Sequence, residues 1–322
     1  MAKGSKIRAV IYEESTWGVA PTTPEGLELS KAEVGLAMKR GPNKSRVLRS
    51  DRNPVEGSLG RKDVGGPLVL QPGVRELPFL MKHALGPVTT TGTGPYTHTI
   101  KIGDLPVGLT IDKFFSDMSG VGAVERYLGG RINQFSFGLS DDGLLEITFD
   151  IVAADEVDDS ALLDATPKLY ALQPFALPKL TFLEGGAAMK IGKNFSFTFM
   201  NNLDTDTGRT IGNGGALSDL PEGTVGIEFK WDVLFKSYTL LNKAKNETAS
   251  SISFTLPAQS VGHSVAFACN EVHYDLEEPT AKGPGGIVVP MSGYAYYTSD
   301  AAASSLVFTA INDVTSLATI PA

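Results

Sequence analysis

Hydrophobic and polar residues alternate with a period of two along most of the chain. Phe135, Phe137 and Leu139 are separated by small or polar residues, and the same pattern returns at 195–199 and 227–233. Such alternation places successive side chains on opposite faces, which is typical of antiparallel strands with one buried and one polar face. The pattern therefore predicts an all-β fold class.

Only two stretches have helical spacing. The stretch 75–85 carries an apolar stripe and stops at Gly86-Pro87, an ordinary end for a helix. The stretch 237–246 carries a weaker stripe. One short helix is thus predicted in each half of the chain.

The two halves repeat one order of elements at a nearly constant offset, about half the chain length, which indicates a duplication. Each half has a strand, a long polar loop, a second strand, the helix and further strands. The matched pairs are 34–40 with 191–200, 41–63 with 201–222, 64–71 with 225–235, 131–140 with 289–298, and 144–152 with 305–312. The similar segments 133–137 and 193–197 are set aside, because matching them would break this order.

The predicted architecture is two tandem β-sandwich or β-barrel domains, each with a long-loop hairpin. The first domain, 1–154, includes an N-terminal arm and loop 41–63, and the second, 179–322, includes loop 201–222. The stretch between them, 155–178, is acidic and contains prolines, so it is predicted to be a surface linker.

Composition narrows the functional classes. The chain has 322 residues, 42% hydrophobic and 20% charged, which is typical of a folded soluble protein. Its single cysteine, Cys269, excludes an intrachain disulfide and a cysteine-based zinc site. The sequence predicts no signal peptide and no membrane-spanning helix. The net charge of −8 argues against tight nucleic-acid binding.

The two long loops differ in charge. Loop 41–63 has a balance of +3 and loop 201–222 a balance of −3. Loops of this length between paired strands are usually functional or disordered. The arginines of loop 41–63 suit forked ion pairs with a partner surface, which would set register more than affinity.

Catalytic and metal-binding motifs are nearly absent. The segment 186–193 has the wrong glycine spacing for a phosphate-binding loop, and Asp204-x-Asp206-x-Gly208 lacks the distal ligands of a calcium loop. The four histidines are scattered. No cofactor, metal site or enzymatic activity is predicted, although an unrecognised carboxylate pair stays an alternative.

Several motifs, taken in order, resemble the tail tube (major tail) proteins of long-tailed bacteriophages. They are the arm Glu14-x-x-Trp17-Gly18-x-Ala20-Pro21, the segment Ser50-Asp51-Arg52, the segment Asp63-Val64-Gly65-Gly66, and a hairpin followed by a helix ending at Ala84-Leu85-Gly86. The resemblance implies a small β-sandwich around a central channel, with rings that stack through arms and long loops. It also implies a structural protein of the virion tail, made in the cytoplasm of a bacterial host, whose channel conducts DNA without binding it specifically.

Two tube-like domains in one chain suggest that three chains close a pseudo-sixfold ring, with a hexamer of chains as the alternative. Predicted partners are further copies of the chain and the terminator, tape measure and distal tail proteins, with no membrane. Predicted inter-ring contacts are Trp17, Arg46, Arg49, Asp51, Arg52, Arg61, Lys62, Asp204, Asp206, Arg209, Asp219 and Glu222.

Two other functions fit the same pattern. A distal tail adaptor or terminator would form one ring that does not polymerise. A β-sandwich carbohydrate-binding surface protein would expose a cluster of aromatic side chains, for which Tyr294, Tyr296 and Tyr297 are the candidates.

Overall fold

A computed structural model describes residues 3–47, 50–190, 192–275, 277–279 and 285–320. Within them the chain is mostly β, as predicted, with two α-helices and short 3-10 turns at Gly4–Lys6 and Leu177–Lys179. The strands are β1 (Ile7–Glu13), β2 (Leu27–Glu28), β3 (Lys31–Val34), β4 (Ala37–Lys39), β5 (Pro42–Asn43), β6 (Ser58–Leu59), β7 (Asp63–Leu70), β8 (Val88–Thr91), β9 (Tyr96–Lys101), β10 (Leu109–Phe115), β11 (Val124–Leu139), β12 (Ile147–Ala153), β13 (Asp155–Asp159), β14 (Lys168–Leu169), β15 (Thr181–Glu184), β16 (Ala187–Ala188), β17 (Gly192–Met200), β18 (Gly226–Leu234), β19 (Ser250–Pro257), β20 (Ser264–Tyr274), β21 (Val288–Ala295) and β22 (Val307–Asn312).

Both predicted helices are present, α1 at Leu77–Leu85 and α2 at Thr239–Lys245. Helix α1 ends at Gly86, whose φ of 131° lies in the region that favours glycine. A Cβ added there would lie 3.0 Å from the backbone of Gly103, so a side chain would also crowd the neighbouring loop. The apolar stripe of α1 is buried against the sheets, which is why this short helix is stable in the fold.

One continuous run of strands passes through both halves of the chain, in the order β4–β7–β12–β11–β17–β18–β21–β20. The 16-residue strand β11 makes this possible. Its first part pairs with β10 and β13, and its second part pairs with β12 and β17. The only parallel pair in the described part of the chain is β2 with β14, so the sheet is mixed.

The strands of the two halves pair in the same order. In the first half β1 pairs with β10, β10 with β11, β11 with β12 and β13, and β12 with β7. In the second half β15 pairs with β19, β19 with β20, β20 with β21 and β22, and β21 with β18. These pairings align β11 with β20 and β12 with β21.

This alignment corrects the constant offset expected from the sequence, which matched 131–140 with 289–298. The starts of β7 and β18 lie 163 residues apart (226 − 63), whereas those of β10 and β19 lie 141 apart (250 − 109). The hairpin β8–β9, which follows α1 and has no counterpart after α2, accounts for most of the change. Its strand β9 pairs with β22, so the hairpin joins the first half to the last strand of the second.

The core crosses the boundary between the halves. Strands β11 and β17, which carry the similar segments 133–137 and 193–197, lie side by side, with ring centroids 4.9 Å apart for Phe135 and Phe199 and 5.2 Å for Phe137 and Phe197. Such pairs contribute about 0.5–1.5 kcal/mol each beyond the area they bury. The expected linker 155–178 also begins inside the sheet, as β13. The division into two tandem domains therefore stays a prediction.

Candidate interaction surfaces

The outward face of the central strands is a broad polar surface, which we call the polar face. The cross-strand register aligns Thr148 with Ser136, Ser136 with Thr198, and Thr198 with Glu228. Because the opposite face carries the phenylalanines of the core, alternation sends these polar side chains outward. The polar face consists of Gln134, Ser136, Gly138, Glu146, Thr148, Asp150, Asn194, Ser196, Thr198, Glu228, Lys230, Asp232, Ser292 and Tyr294.

Small side chains leave a groove of about 1060 Å³ along this face. The charged groups of the whole polar face are Asp150, Glu228, Asp232 and Lys230 on the strands, with Glu146 immediately before β12. Acidic groups thus outnumber the single lysine. Partial burial raises the pKa of Asp150 above its ordinary value. The surface is polar and acidic, and it carries no stripe of basic groups.

The described residues hold no group of three or more histidine, cysteine or carboxylate side chains placed to bind a metal ion. Within the same residues, no helix is long and apolar enough to cross a membrane.

The two long loops leave the same end of the sheet, because Met38 pairs with Val64 and Met200 pairs with Gly226 at that end. They also contact each other. The Lys62 amide donates to the Gly215 carbonyl at 3.0 Å, and the Arg61 guanidinium lies 3.5 Å from an Asp206 carboxylate oxygen. The loops of opposite charge therefore meet within one chain.

Arg209 is the main link between the loops. Its Nη2 donates to Asp63 Oδ1 at 2.7 Å, and its Nη1 donates to the carbonyls of Lys62 and Gly215 at 3.1 and 3.0 Å. Lys62 in turn donates from Nζ to Asp155 Oδ1 at 2.5 Å. These contacts fix the base of loop 41–63 against the folded body.

Loop 201–222 folds back on itself and forms a small second core. Leu203, Leu217 and Leu220 are buried there together with Ala154, and Trp17 packs against them. Trp17 is held between chain segments, close to Gly129, where an added Cβ would come within 3.0 Å of the indole. The N-terminal arm therefore lies against the folded body at this tryptophan.

Two of the four carboxylates of loop 201–222 accept hydrogen bonds within the loop, and the other two contact other segments. Asp204 accepts hydrogen bonds from the hydroxyl and amide of Thr207 and from the Asp206 amide, which lower its pKa. Asp219 accepts from the Leu220 amide. Glu222 accepts from the Leu105 amide at 3.1 Å and lies 3.6 Å from Arg131.

Loop 41–63 is different beyond its base. Strands β5 and β6 form a two-residue ladder, and the chain between them projects with most side chains exposed. Arg46, Asp51 and Arg52 are exposed on this projection. Arg49, also predicted as a contact residue, lies outside the described residues.

The predicted contact residues that the structure describes thus fall into three sets, and their inter-ring role stays a prediction. Contacts with other segments of the same chain are made by Trp17, Arg61, Lys62, Asp206, Arg209 and Glu222. Asp204 and Asp219 accept hydrogen bonds within loop 201–222, and Arg46, Asp51 and Arg52 are exposed. Sequence reasoning missed the internal partners Asp63, Asp155 and Arg131. The first two lie at strand ends beside the loops, but no local pattern distinguishes them from solvent-facing charges.

Two of the tyrosines proposed for carbohydrate binding lie side by side, with the ring centroids of Tyr294 and Tyr296 6.1 Å apart. His273 contacts both rings, at 6.0 Å from Tyr294 and 4.8 Å from Tyr296. A carbohydrate-binding role for this cluster stays a prediction. Tyr294 is paired with Glu228 across the strands.

Comparison with models of protein families gives a match. A family model described as phage tail tube protein matches residues 4–310, nearly the whole chain. A search of curated proteins found no match.

Proposed function

Because the chain belongs to the phage tail tube protein family, we propose that it forms rings that stack into the tube, with the polar face lining the channel that conducts DNA. Family membership makes the chain a structural subunit of the virion tail, not an enzyme, that polymerises with itself. The face that lines the channel, the number of chains per ring and the contacts between rings belong to the proposal.

The observation that carries the proposal is the chemistry of the polar face. The wall of a channel that conducts DNA must not bind the duplex at any fixed position. Acidic groups repel phosphates, and a wall without basic groups in rows offers no counterion release to drive binding. The polar face meets both requirements, because it carries four carboxylates and a single lysine, Lys230. The carboxylates are those of Glu146, Asp150, Glu228 and Asp232.

Matching strand pairings in the two halves support a ring of three chains. The sheet that carries the polar face contains β7, β12 and β11 from the first half and β17, β18 and β21 from the second. The seam between β11 and β17 joins the last strand of the first set to the first strand of the second set inside one chain. Three chains repeating this arrangement would give a pseudo-sixfold ring, and six chains are the alternative.

The long loops support stacking. Both leave one end of the sheet, so they face one direction along the channel axis. The base of loop 41–63 is fixed by Arg209 and Lys62, which leaves the exposed projection around Arg46 and Arg52 to reach the next ring. The terminator, distal tail and tape measure proteins would meet the ends and lumen of the resulting tube.

Electron microscopy of the purified chain at high concentration, with rotational averaging of end views, tests this assembly. Stacked rings with a central hole are expected, and threefold averages would support three chains per ring. Strictly sixfold averages would favour the hexamer. Isolated rings that never stack would point to an adaptor or terminator, and a chain that stays monomeric would contradict the proposal.

A charge placed on the polar face tests the channel assignment. The change Ser196→Arg, at an exposed position of that face, should leave tubes intact but make them retain a short labelled DNA duplex that wild-type tubes release. The matched control is Ser119→Arg, in an exposed turn away from this face. Equal retention by both variants would show that the polar face does not line the channel.

A further inference from the structure

The first half of the chain carries opposite charges at the two ends of the sheet. Loop 41–63 leaves the end where Met38 pairs with Val64, and the turn 140–146 lies at the other end, where Leu70 pairs with Ile147. Strand β7 has eight residues, so the two ends are separated by about 25 Å. They cannot meet within one chain.

The basic end is the projection of loop 41–63, where among the described residues three cations outnumber the carboxylates of Asp51 and Glu56. Its Lys44, Arg46 and Arg52 side chains are exposed, and none of the three forms an ion pair within the described residues. The cations at the base, Arg61 and Lys62, are instead paired with carboxylates of their own chain. The outer three cations contribute nothing visible to the fold of the single chain.

The acidic end is the turn 140–146, where Asp141, Asp142 and Glu146 are exposed. Asp142 has a local role, because its Oδ1 accepts from the Gly143 amide at 2.8 Å. Glu146 meets only the Gln71 amide group, at 3.3 Å, and no ion pair to these three carboxylates occurs in the described part of the chain. The turn geometry therefore needs one carboxylate, and the sequence supplies three.

We propose that the basic projection of loop 41–63 docks on the acidic turn 140–146 of a second copy in the next ring. The inference rests on the proposed function and names the surface that receives the loop. A filament grows from heterologous contacts, in which two different patches of the same chain complement each other. Opposite charges at opposite ends of one sheet meet that requirement, and charge pairs of this kind steer encounter and fix register.

Charge exchange tests the contact. The loop variant is Arg46→Glu with Arg52→Glu, and the turn variant is Asp141→Lys with Glu146→Lys. Each alone should form at least tenfold fewer tubes than wild type, while its circular dichroism spectrum is unchanged. An equimolar mixture of the two should form tubes, because each acidic loop then meets a basic turn and each basic loop an acidic turn. One chain carrying all four changes should polymerise alone.

Three results would overturn the contact: normal tubes from either double variant, no tubes from the mixture, or no tubes from the chain with four changes. The control Lys3→Glu with Lys6→Glu alters net charge as the loop variant does, at exposed positions outside the loops, and should form normal tubes. Wild-type polymerisation is scored separately. If the wild-type chain forms no tubes, the proposed function fails; if it forms tubes but charge exchange fails, only the docking contact is lost.

Discussion

Loops 41–63 and 201–222 occupy the same place in the two halves, yet they use their charged residues in opposite ways. Loop 201–222 folds over a small core of Leu203, Leu217 and Leu220, and its carboxylates accept hydrogen bonds from its own chain. Loop 41–63 has only a two-residue ladder, and the side chains of its projection are exposed. One loop is part of the folded body, and the other is free to contact a partner.

The difference shows that a loop's charge balance does not reveal where its charges act. The balances of +3 and −3 suggest two equal and opposite contact surfaces. In the fold, Arg209 of the acidic loop binds Asp63 of the basic one, and Arg61 lies near Asp206. Part of the complementarity is thus satisfied within one chain, while Lys44, Arg46 and Arg52 of the projection form no ion pair with the other described residues.

The largest expected loss of stability comes from a substitution that removes part of the core of loop 201–222. Leu220 is fully buried, so Leu220→Ala should lower the free energy of unfolding by about 2–5 kcal/mol. Ile211 lies in the same loop but is fully exposed, so Ile211→Ala should change it by no more than about 0.5 kcal/mol. Urea denaturation of the two variants measures both. Equal effects would mean that loop 201–222 does not depend on its own core.

A smaller loss is expected where the two loops are joined. Arg209→Met removes the hydrogen bond to Asp63 and leaves the Lys62 and Gly215 carbonyls without this donor. The free energy of unfolding should therefore fall by about 1–3 kcal/mol. The matched change in the exposed projection, Arg46→Met, should alter stability by no more than about 0.5 kcal/mol. Thermal unfolding of both variants makes the comparison. A loss from Arg46→Met as large as that from Arg209→Met would show that the projection is also part of the folded body.

Much of the fold follows from local sequence. Alternation at Phe135 and Phe137 predicts strand β11, and the stripe before Gly86-Pro87 predicts α1, because both depend on spacing along the chain. The continuous sheet could not be predicted in this way. Pairing of β11 with β17 depends on contacts between distant segments, and the hairpin β8–β9 shifts the second part of the repeat without altering any local pattern.

The candidate surfaces were predictable to different degrees. Length and charge identified loop 41–63, and Arg46 and Arg52 are indeed exposed. The same signals cannot tell that Trp17 packs against the core of loop 201–222, since an amphipathic indole suits both an interface and an interior. The polar face was implicit in the alternation, but its extent depends on which strands are neighbours.

A weak effect is expected from the exposed ion pair between the loops. Arg61 and Asp206 are both largely exposed, with 59% and 86% of their side chains accessible, and their closest charged atoms lie 3.5 Å apart. Arg61→Met should therefore lower the free energy of unfolding by less than about 1 kcal/mol. The difference in stability between this variant and wild type should shrink as salt is added. Urea denaturation at low and high salt measures this. A salt-independent loss as large as that of Arg209→Met would mean that surface pairing, not Arg209, joins the loops.

The smallest effect is local and depends on pH. The Thr207 hydroxyl, followed by the Thr207 and Asp206 amides, holds the pKa of Asp204 below its ordinary value of 3.8. A carboxylate whose folded pKa is lowered stabilises its turn above the unfolded pKa, and this stabilisation is lost as pH falls through the folded pKa. Hydrogen exchange should accordingly show reduced protection of the Asp206 and Thr207 amides below about pH 4.

The control lies in loop 41–63, where the Val47 amide donates to the Ser45 hydroxyl. This hydroxyl does not titrate in the same pH range, so the protection of the Val47 amide should not follow the protonation of Asp204. Asp204→Asn should remove the pH dependence in loop 201–222; if the acid-induced loss of protection persists in that variant, the turn opens for a reason other than protonation of Asp204.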